Sequence, residues 1–324
     1  MKIMEVCGTH TASILKNGLR AMLPAGVQLV SGPGCPVCVT EIQAIDALTA
    51  AAFTPNHTVL TFGDMIKVRG AIHSLATAEA AGAHVRMVYS PLEAVGLAQK
   101  FRDETFVVAA VGFETTAPIY AVLMEKLVAL NIKNVKLLTI LKTMPPALEY
   151  VRDTVDGFLC PGHVAAIIGA QPFEDLHKPC VIAGFEPEHI LAAIYKLVSM
   201  SEQKKVFNLY PSVVSGRPQI RATTLIERFF ESKDAHWRGI GTLKKSGLYL
   251  RSEYAEWDYG SRFSDAGKVE ENPKCRCGDV LLGRATPPQC PLFGTLCTPE
   301  HAVGACMVSG EGTCANYYTF GGIL

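Results

Sequence analysis

The chain has 324 residues, with 30 Lys and Arg against 30 Asp and Glu, so its formal net charge is zero. A neutral chain of that length has core enough for two or three domains and carries no electrostatic footprint for a polyanion or a membrane surface. No apolar run reaches the roughly 18 residues that cross a bilayer, and the N-terminus opens on strand-like sequence without a signal-peptide core, which reads as cytoplasmic.

Ile3-Met4-Glu5-Val6 reads as a short strand ending in Cys7-Gly8-Thr9-His10, with a helix over 11–19. A second apolar run, 27–30, leads into Gly32-Pro33-Gly34-Cys35-Pro36-Val37-Cys38. Further along, strands are expected at 58–62, 85–89, 106–111, 135–141, 157–160 and 180–183. Helices are expected between them at 42–53, 73–82, 91–101, 117–130, 145–152 and 187–200. Strand, polar turn and helix in alternation predict an α/β protein of parallel βαβ units in two domains. The expected ranges are 1–103 and 104–202, followed by a loop-rich C-terminal domain over 203–324. In that last range, 206–214 reads as a strand, 217–232 as a helix, and the rest as loop with an aromatic-acidic stretch at 253–263. Trp237 and Trp257 read as packing residues.

Neither G-x-G-x-x-G nor a P-loop occurs, so a standard nucleotide site has no support. What recurs is chemistry at strand ends: Cys7 with His10, Cys35 with Cys38, Asp64, Glu114, Cys160 with His163, and Glu186. The carboxyl edge of a parallel sheet is where such folds bind ligands. A helix starting near Pro36 would set Cys35 and Cys38 at its N-terminus, where the dipole favours thiolate.

The remaining signal is the cysteine count. Eleven cysteines in a reducing compartment argue for metal or redox use, and six of them fall between Cys275 and Cys314. Gly and Pro beside most of these six leave little core, so a crosslinking group is needed. Wide, irregular spacing suits an iron–sulfur cluster held by four thiolates, with two cysteines left to form a dithiol beside it. Zinc is the competing reading.

Cys7-Gly8-Thr9-His10, Gly32-Pro33-Gly34-Cys35-Pro36-Val37-Cys38, Gly112-Phe113-Glu114-Thr115-Thr116 and Pro161-Gly162-His163 are long motifs. With Gly184-Phe185-Glu186-Pro187, Trp237-Arg238-Gly239-Ile240-Gly241 and the cysteine tail, they resemble the HypD family of hydrogenase-maturation factors over nearly the whole chain. The resemblance implies a scaffold, complexed with the chaperone HypC, on which the Fe(CN)₂CO unit of [NiFe]-hydrogenase is built for the large subunit, with HypE as cyanide donor. It implies that Cys7 binds the iron together with a HypC cysteine, with His10 beside it. It further implies a [4Fe–4S] cluster on Cys275, Cys290, Cys297 and Cys314, and thiol pairs Cys277/Cys306 and Cys35/Cys38. Glu41 stands where the family pattern has proline, and the leader that members carry before the Cys-Gly-Thr-His motif is almost lacking.

The expected mechanism is an electron relay from cluster to thiol pairs to the iron on Cys7. Glu114, His163 and Asp64 would supply protons or hold cyanide nitrogen. Two other classes compete: a ferredoxin-linked thiol–disulfide reductase, and a zinc-stabilised nucleotide-binding protein with an ATPase step.

Overall fold

Short apolar runs closed by Gly, Asp or Cys become strands, and the Ala- and Leu-rich runs between them become helices, in a computed structural model that describes residues 1–261 and 272–321. In chain order the strands are β1 (Lys2–Glu5), β2 (Gln28–Ser31), β3 (His57–Thr61), β4 (Val85–Met87), β5 (Thr105–Gly112) and β6 (Val135–Lys142). They continue with β7 (Gly157–Pro161), β8 (Cys180–Ala183), β9 (Val206–Asn208), β10 (Phe230–Trp237) and β11 (Gly241–Leu250).

The chain forms two compact units built from interleaved segments. The first comprises Met1–Val39, Met144–Ile220 and Asn272–Leu324; the second comprises Thr40–Thr143 and Arg221–Glu271. This division follows spatial contact, whereas the ranges 1–103, 104–202 and 203–324 follow chain order. The stretch 262–271 and the last residues 322–324 lie outside the described residues, so the aromatic-acidic stretch is seen only as far as Ser261.

The first unit carries a fully parallel sheet in the order β2-β1-β7-β8-β9. Its core packs Ile3, Leu29, Leu159 and Val181 of the sheet against Ile14 and against Ile190, Ile194 and Leu197 of the helix Pro187–Ser199. Each such side chain contributes about 1.5–3 kcal/mol by leaving water. All the carboxyl ends of this sheet lie on one edge, as parallel pairing requires.

The second unit has the order β10-β11-β6-β5-β3-β4, parallel from β6 through β5 and β3 to β4. Phe106, Val108 and Leu137 pack on Tyr120 and Met124 of the helix Ala117–Ala129, and Phe229 and Phe230 close the same core.

Four expectations are corrected. The region after 232 is not loop: β10 and β11 form an antiparallel hairpin that extends the second sheet along β6. Its alternation is masked by a register shift between Lys233 and Ala235 and by an outward face of Lys, Asp and His. Trp237-Arg238-Gly239-Ile240-Gly241 is the hairpin turn, with Gly239 at φ 74° and Gly241 at φ 110°, left-handed positions that suit glycine. The helix expected over 217–232 spans only Ile220–Phe229, and the strand expected over 206–214 spans only Val206–Asn208. Finally, no helix begins at Pro36; a turn runs from Pro36 to Val39 and the helix starts at Ile42. Val37, Val39 and Thr40 are β-branched and resist the helical χ1, so the thiols lack a helix dipole.

Candidate functional site

Three strand ends of the first unit meet around Cys7. The residue follows β1 and caps the helix Gly8–Lys16 with extended backbone, φ −150° and ψ 127°. Helix N-termini leave N–H groups unpaired, and those of His10 and Thr9 lie toward the Cys7 sulfur. They favour thiolate, yet burial outweighs them, and with the carboxylates of Glu311 and Glu5 nearby the thiol is pushed up to about 11. The dipole geometry expected for Cys35 and Cys38 is therefore found at Cys7.

Beneath it lies Glu5, a carboxyl with 1% of its surface exposed. Thr11 Oγ1 donates to Glu5 Oε1 at 2.6 Å, and the Cys7 N–H donates to Oε2 at 3.2 Å. Burial still raises its pKa over these hydrogen bonds. Neither Glu5 nor Glu311 was expected in the site. The signal for Glu5 was present: a charged residue at the inward, C-terminal position of an otherwise apolar strand.

His10 is wholly buried in the same helix, and its Nε2–H donates to the Gly184 carbonyl at 2.9 Å. Burial, with His163 as a like charge, lowers it to about 4, so the ring is neutral at physiological pH. Phe185 lies between the two histidines, its ring centre 4.8 Å from His10 and 4.5 Å from His163. His163 is exposed at the end of β7.

The Gly32-Pro33-Gly34 turn after β2 packs directly on this group. The Gly8 N–H donates to the Gly34 carbonyl, and a Cβ on Gly34 would lie 2.4 Å from the Cys7 nitrogen. Only glycine permits that approach. The turn delivers Cys35 and Cys38, both buried, with their sulfurs 2.7 Å apart. The Cys38 N–H donates to Cys35 Sγ at 3.3 Å. Burial and the neighbouring Cys38 thiol raise Cys35 well above the usual thiol range.

The C-terminal cysteines belong to the same unit. Cys275, Cys277, Cys290, Cys297, Cys306 and Cys314 line one small cavity, together with Phe293, Gly304 and Met307. Among the described residues, no charged side chain lines it. A Cβ on Gly304 would sit 2.8 Å from Cys275 Sγ, so glycine leaves room for that sulfur, and the Val303 N–H donates to Cys297 Sγ at 3.4 Å. Burial and the adjacent Cys277 push Cys275 up to about 12. Thiols crowded in an apolar pocket stay protonated unless a cationic group enters, and amide donors to sulfur accompany cluster ligation. The donor set therefore fits a polynuclear iron–sulfur group. Among the described residues, no three His, Cys, Asp or Glu side chains are drawn together as a single-ion site.

Within the cavity wall, Cys277 and Cys306 stand 2.7 Å apart. Cys306 also hydrogen-bonds Cys314 and Cys38, so the sulfurs form a continuous chain from the cavity to the Gly-Pro-Gly turn.

The other strand-end residues divide between the two units. Glu114 is buried after β5 in the second unit, and Asp64 is exposed in the first turn of the helix Gly63–Ile66 of that unit. Cys160 and Cys180 are sealed on β7 and β8, where Cys160 hydrogen-bonds Cys180 and takes no part in the sulfur chain.

Residues 1–321 match the family described as "HypD: Hydrogenase formation hypA family". A hydrogenase maturation factor HypD from Escherichia coli K12 is 40% identical over 332 residues, covering 99% of this chain and 89% of its own. A putative hydrogenase expression/formation protein from Methanocaldococcus jannaschii is 41% identical, covering 99% and 92%. HypD from Rhizobium leguminosarum bv. viciae is 39% identical, covering 98% and 88%. With one family spanning both units and the cysteine tail, the chain belongs to the HypD family of hydrogenase maturation factors.

Proposed function

We propose that this protein serves hydrogenase maturation as the scaffold on which an Fe(CN)₂CO unit is assembled, working with a HypC-type chaperone and a HypE-type cyanide donor. The function in maturation comes with the relatives, whose names carry it. The observation supporting the finer reading is Cys306, hydrogen-bonded both to Cys277 at the cavity and to Cys38 beside the Cys7 turn.

Cys7 is the residue suited to hold the iron substrate, sharing it with a partner cysteine, because it combines partial exposure with a place at a helix N-terminus, where the His10 and Thr9 amides favour thiolate. Soft thiolate ligation suits low-spin iron bearing cyanide and carbonyl. His10, neutral and dry, and His163, exposed, flank Phe185 next to it and are placed to orient a ligand nitrogen or hold a proton. A [4Fe–4S] cluster on Cys275, Cys290, Cys297 and Cys314 would supply electrons singly to this site.

The thiols then exchange in pairs. The Cys306 thiolate attacks Cys38 of a Cys35–Cys38 disulfide, the Cys35 thiolate leaves and takes a proton, and the S–S bond becomes Cys306–Cys38. Cys277, deprotonated, displaces Cys38 in turn, leaving Cys277–Cys306 oxidised and Cys35/Cys38 reduced by two electrons and two protons. Burial of both Cys35 and Cys38 disfavours a general reductase of outside protein disulfides.

The test is infrared spectroscopy of the protein purified anaerobically with its chaperone. Cys7→Ala should lose the cyanide and carbonyl bands and keep its iron–sulfur absorbance. Bands retained in Cys7→Ala would overturn the scaffold role.

A further inference from the structure

Glu41 and Lys142 form an ion pair buried on both sides, the carboxylate 6% and the ammonium 2% exposed, with Nζ 3.3 Å from Oε1. Lys142 Nζ also donates to the His236 carbonyl on β10 at 2.7 Å. Its backbone is fixed at the carboxyl end of β6, where it pairs with Gly247 of β11. The chain has buried two charges here, which apolar residues could replace without loss of packing, so stability alone gives no reason for the pair.

Their position gives one. Val39–Thr40 is where the chain passes from the first unit to the second, and Cys38 precedes that junction by one residue. The dithiol segment, residues 35–41, has no helix or strand of its own. One end is held where Gly34 packs on the Cys7 backbone. At its other end, Glu41 makes the ion pair. The backbone there has φ −65° and ψ 145°, an extended entry to the helix Ile42–Phe53 that no side-chain cap holds.

We propose that Glu41 and Lys142 are positioning residues for the Cys35/Cys38 dithiol: the ion pair anchors the downstream end of the segment and holds Cys38 buried against Cys306. This rests on the dithiol being a relay, and it concerns how the relay is kept closed. An anchor on a sheet strand ties a mobile side chain to an immobile one. If Lys142 loses its charge, Glu41 is an unpaired buried carboxylate that must reach water, and it draws Thr40, Val39 and Cys38 outward with it. If Glu41 loses its charge, the stranded ion is Lys142, which its strand holds in place, so the dithiol moves less.

The experiment is anaerobic alkylation of the reduced, cluster-loaded full chain with iodoacetamide, read cysteine by cysteine by mass spectrometry. Cys160 and Cys180, sealed in the same unit as the dithiol, report general loosening. Lys142→Met should speed labelling of Cys35 and Cys38 by roughly tenfold or more with Cys160 and Cys180 unchanged, the mark of local opening. Glu41→Gln should have a smaller effect, and Lys142→Arg should restore the slow rate. Should Lys142→Met fold poorly, Glu41→Met/Lys142→Met removes both charges and strands neither, and its Cys35 and Cys38 should label more slowly than in Glu41→Gln, with the opposite order overturning the proposal. The proposal falls if Cys35 and Cys38 label at the wild-type rate in Lys142→Met, if all four cysteines speed up together, or if Glu41→Gln exceeds Lys142→Met. Labelling reads accessibility and not electron transfer, so a failure here leaves the scaffold role standing, and loss of that role leaves this result readable.

Discussion

Cys277 Sγ and Cys306 Sγ stand 2.7 Å apart at the wall of the six-cysteine cavity, the same separation as Cys35 and Cys38 in their buried turn. Cys306 bridges the two pairs through Cys38. Oxidation with diamide, followed by non-reducing peptide mapping, should yield Cys35–Cys38 and Cys277–Cys306. In Cys306→Ser the first disulfide should still form but resist dithionite, while wild type is reduced. Equal reduction in both proteins would remove Cys306 from the relay.

Cysteine ligation of the cavity separates from the Cys7 chemistry. Cys290→Ala, and likewise Cys297→Ala, should purify anaerobically with little iron and no brown colour. Zinc in place of iron, by metal analysis of the wild type, would show that the cavity holds the other metal.

His10 makes stability depend on acid. Its folded pKa is about 4 against an ordinary 6.5, so the unfolded chain binds the extra proton between those values. Stability is therefore full above about pH 6.5, falls as pH drops, and has lost about 3 kcal/mol below pH 4 from this group alone. Buried Glu5 acts in the opposite sense, its raised pKa favouring the folded state toward acid. The clean readout is thus the difference between wild type and His10→Gln in urea midpoints across pH 4–7. A difference that does not change with pH would contradict the buried neutral ring.

Gly34 carries the approach of the dithiol turn to Cys7. An added methyl meets Cys7 N at 2.4 Å and Cys7 Cα at 2.6 Å, backbone atoms that cannot swing away. Gly34→Ala should lower stability by about 3 kcal/mol or more and disturb iron loading at Cys7. A urea midpoint within error of wild type would mean that the turn relaxes at no penalty.

Trp237 anchors the hairpin of the second unit, fully buried, donating to Ser246 Oγ at 2.8 Å and stacked on Phe113 at 5.8 Å. Trp237→Ala should lose about 3–5 kcal/mol, measured by chemical denaturation. A loss under 1 kcal/mol would show the hairpin to be peripheral.

Much of this was legible in the residues. The buried runs at 106–111 and 135–141 announce parallel strands, and Cys7, Cys35, His163 and Glu114 follow strand ends, because period and turn chemistry are local properties. The hairpin at β10 and β11 was not, since a sheet edge with one charged face looks like loop until a neighbour such as β6 pairs with it. Nor was the state of the Cys35 turn: proline after cysteine suggests a helix start, and the β-branched residues behind it override the suggestion.

What the amino-acid order alone determined is which side chains carry the chemistry, for thiol, imidazole and carboxyl at strand ends are chosen residue by residue. Only the tertiary structure decided which of them meet. It put Cys306 on Cys38, set Phe185 between two histidines and paired Glu41 with Lys142. Partners so distant along the chain leave no periodic trace, and the desolvation that sets their protonation exists only once the core has closed around them.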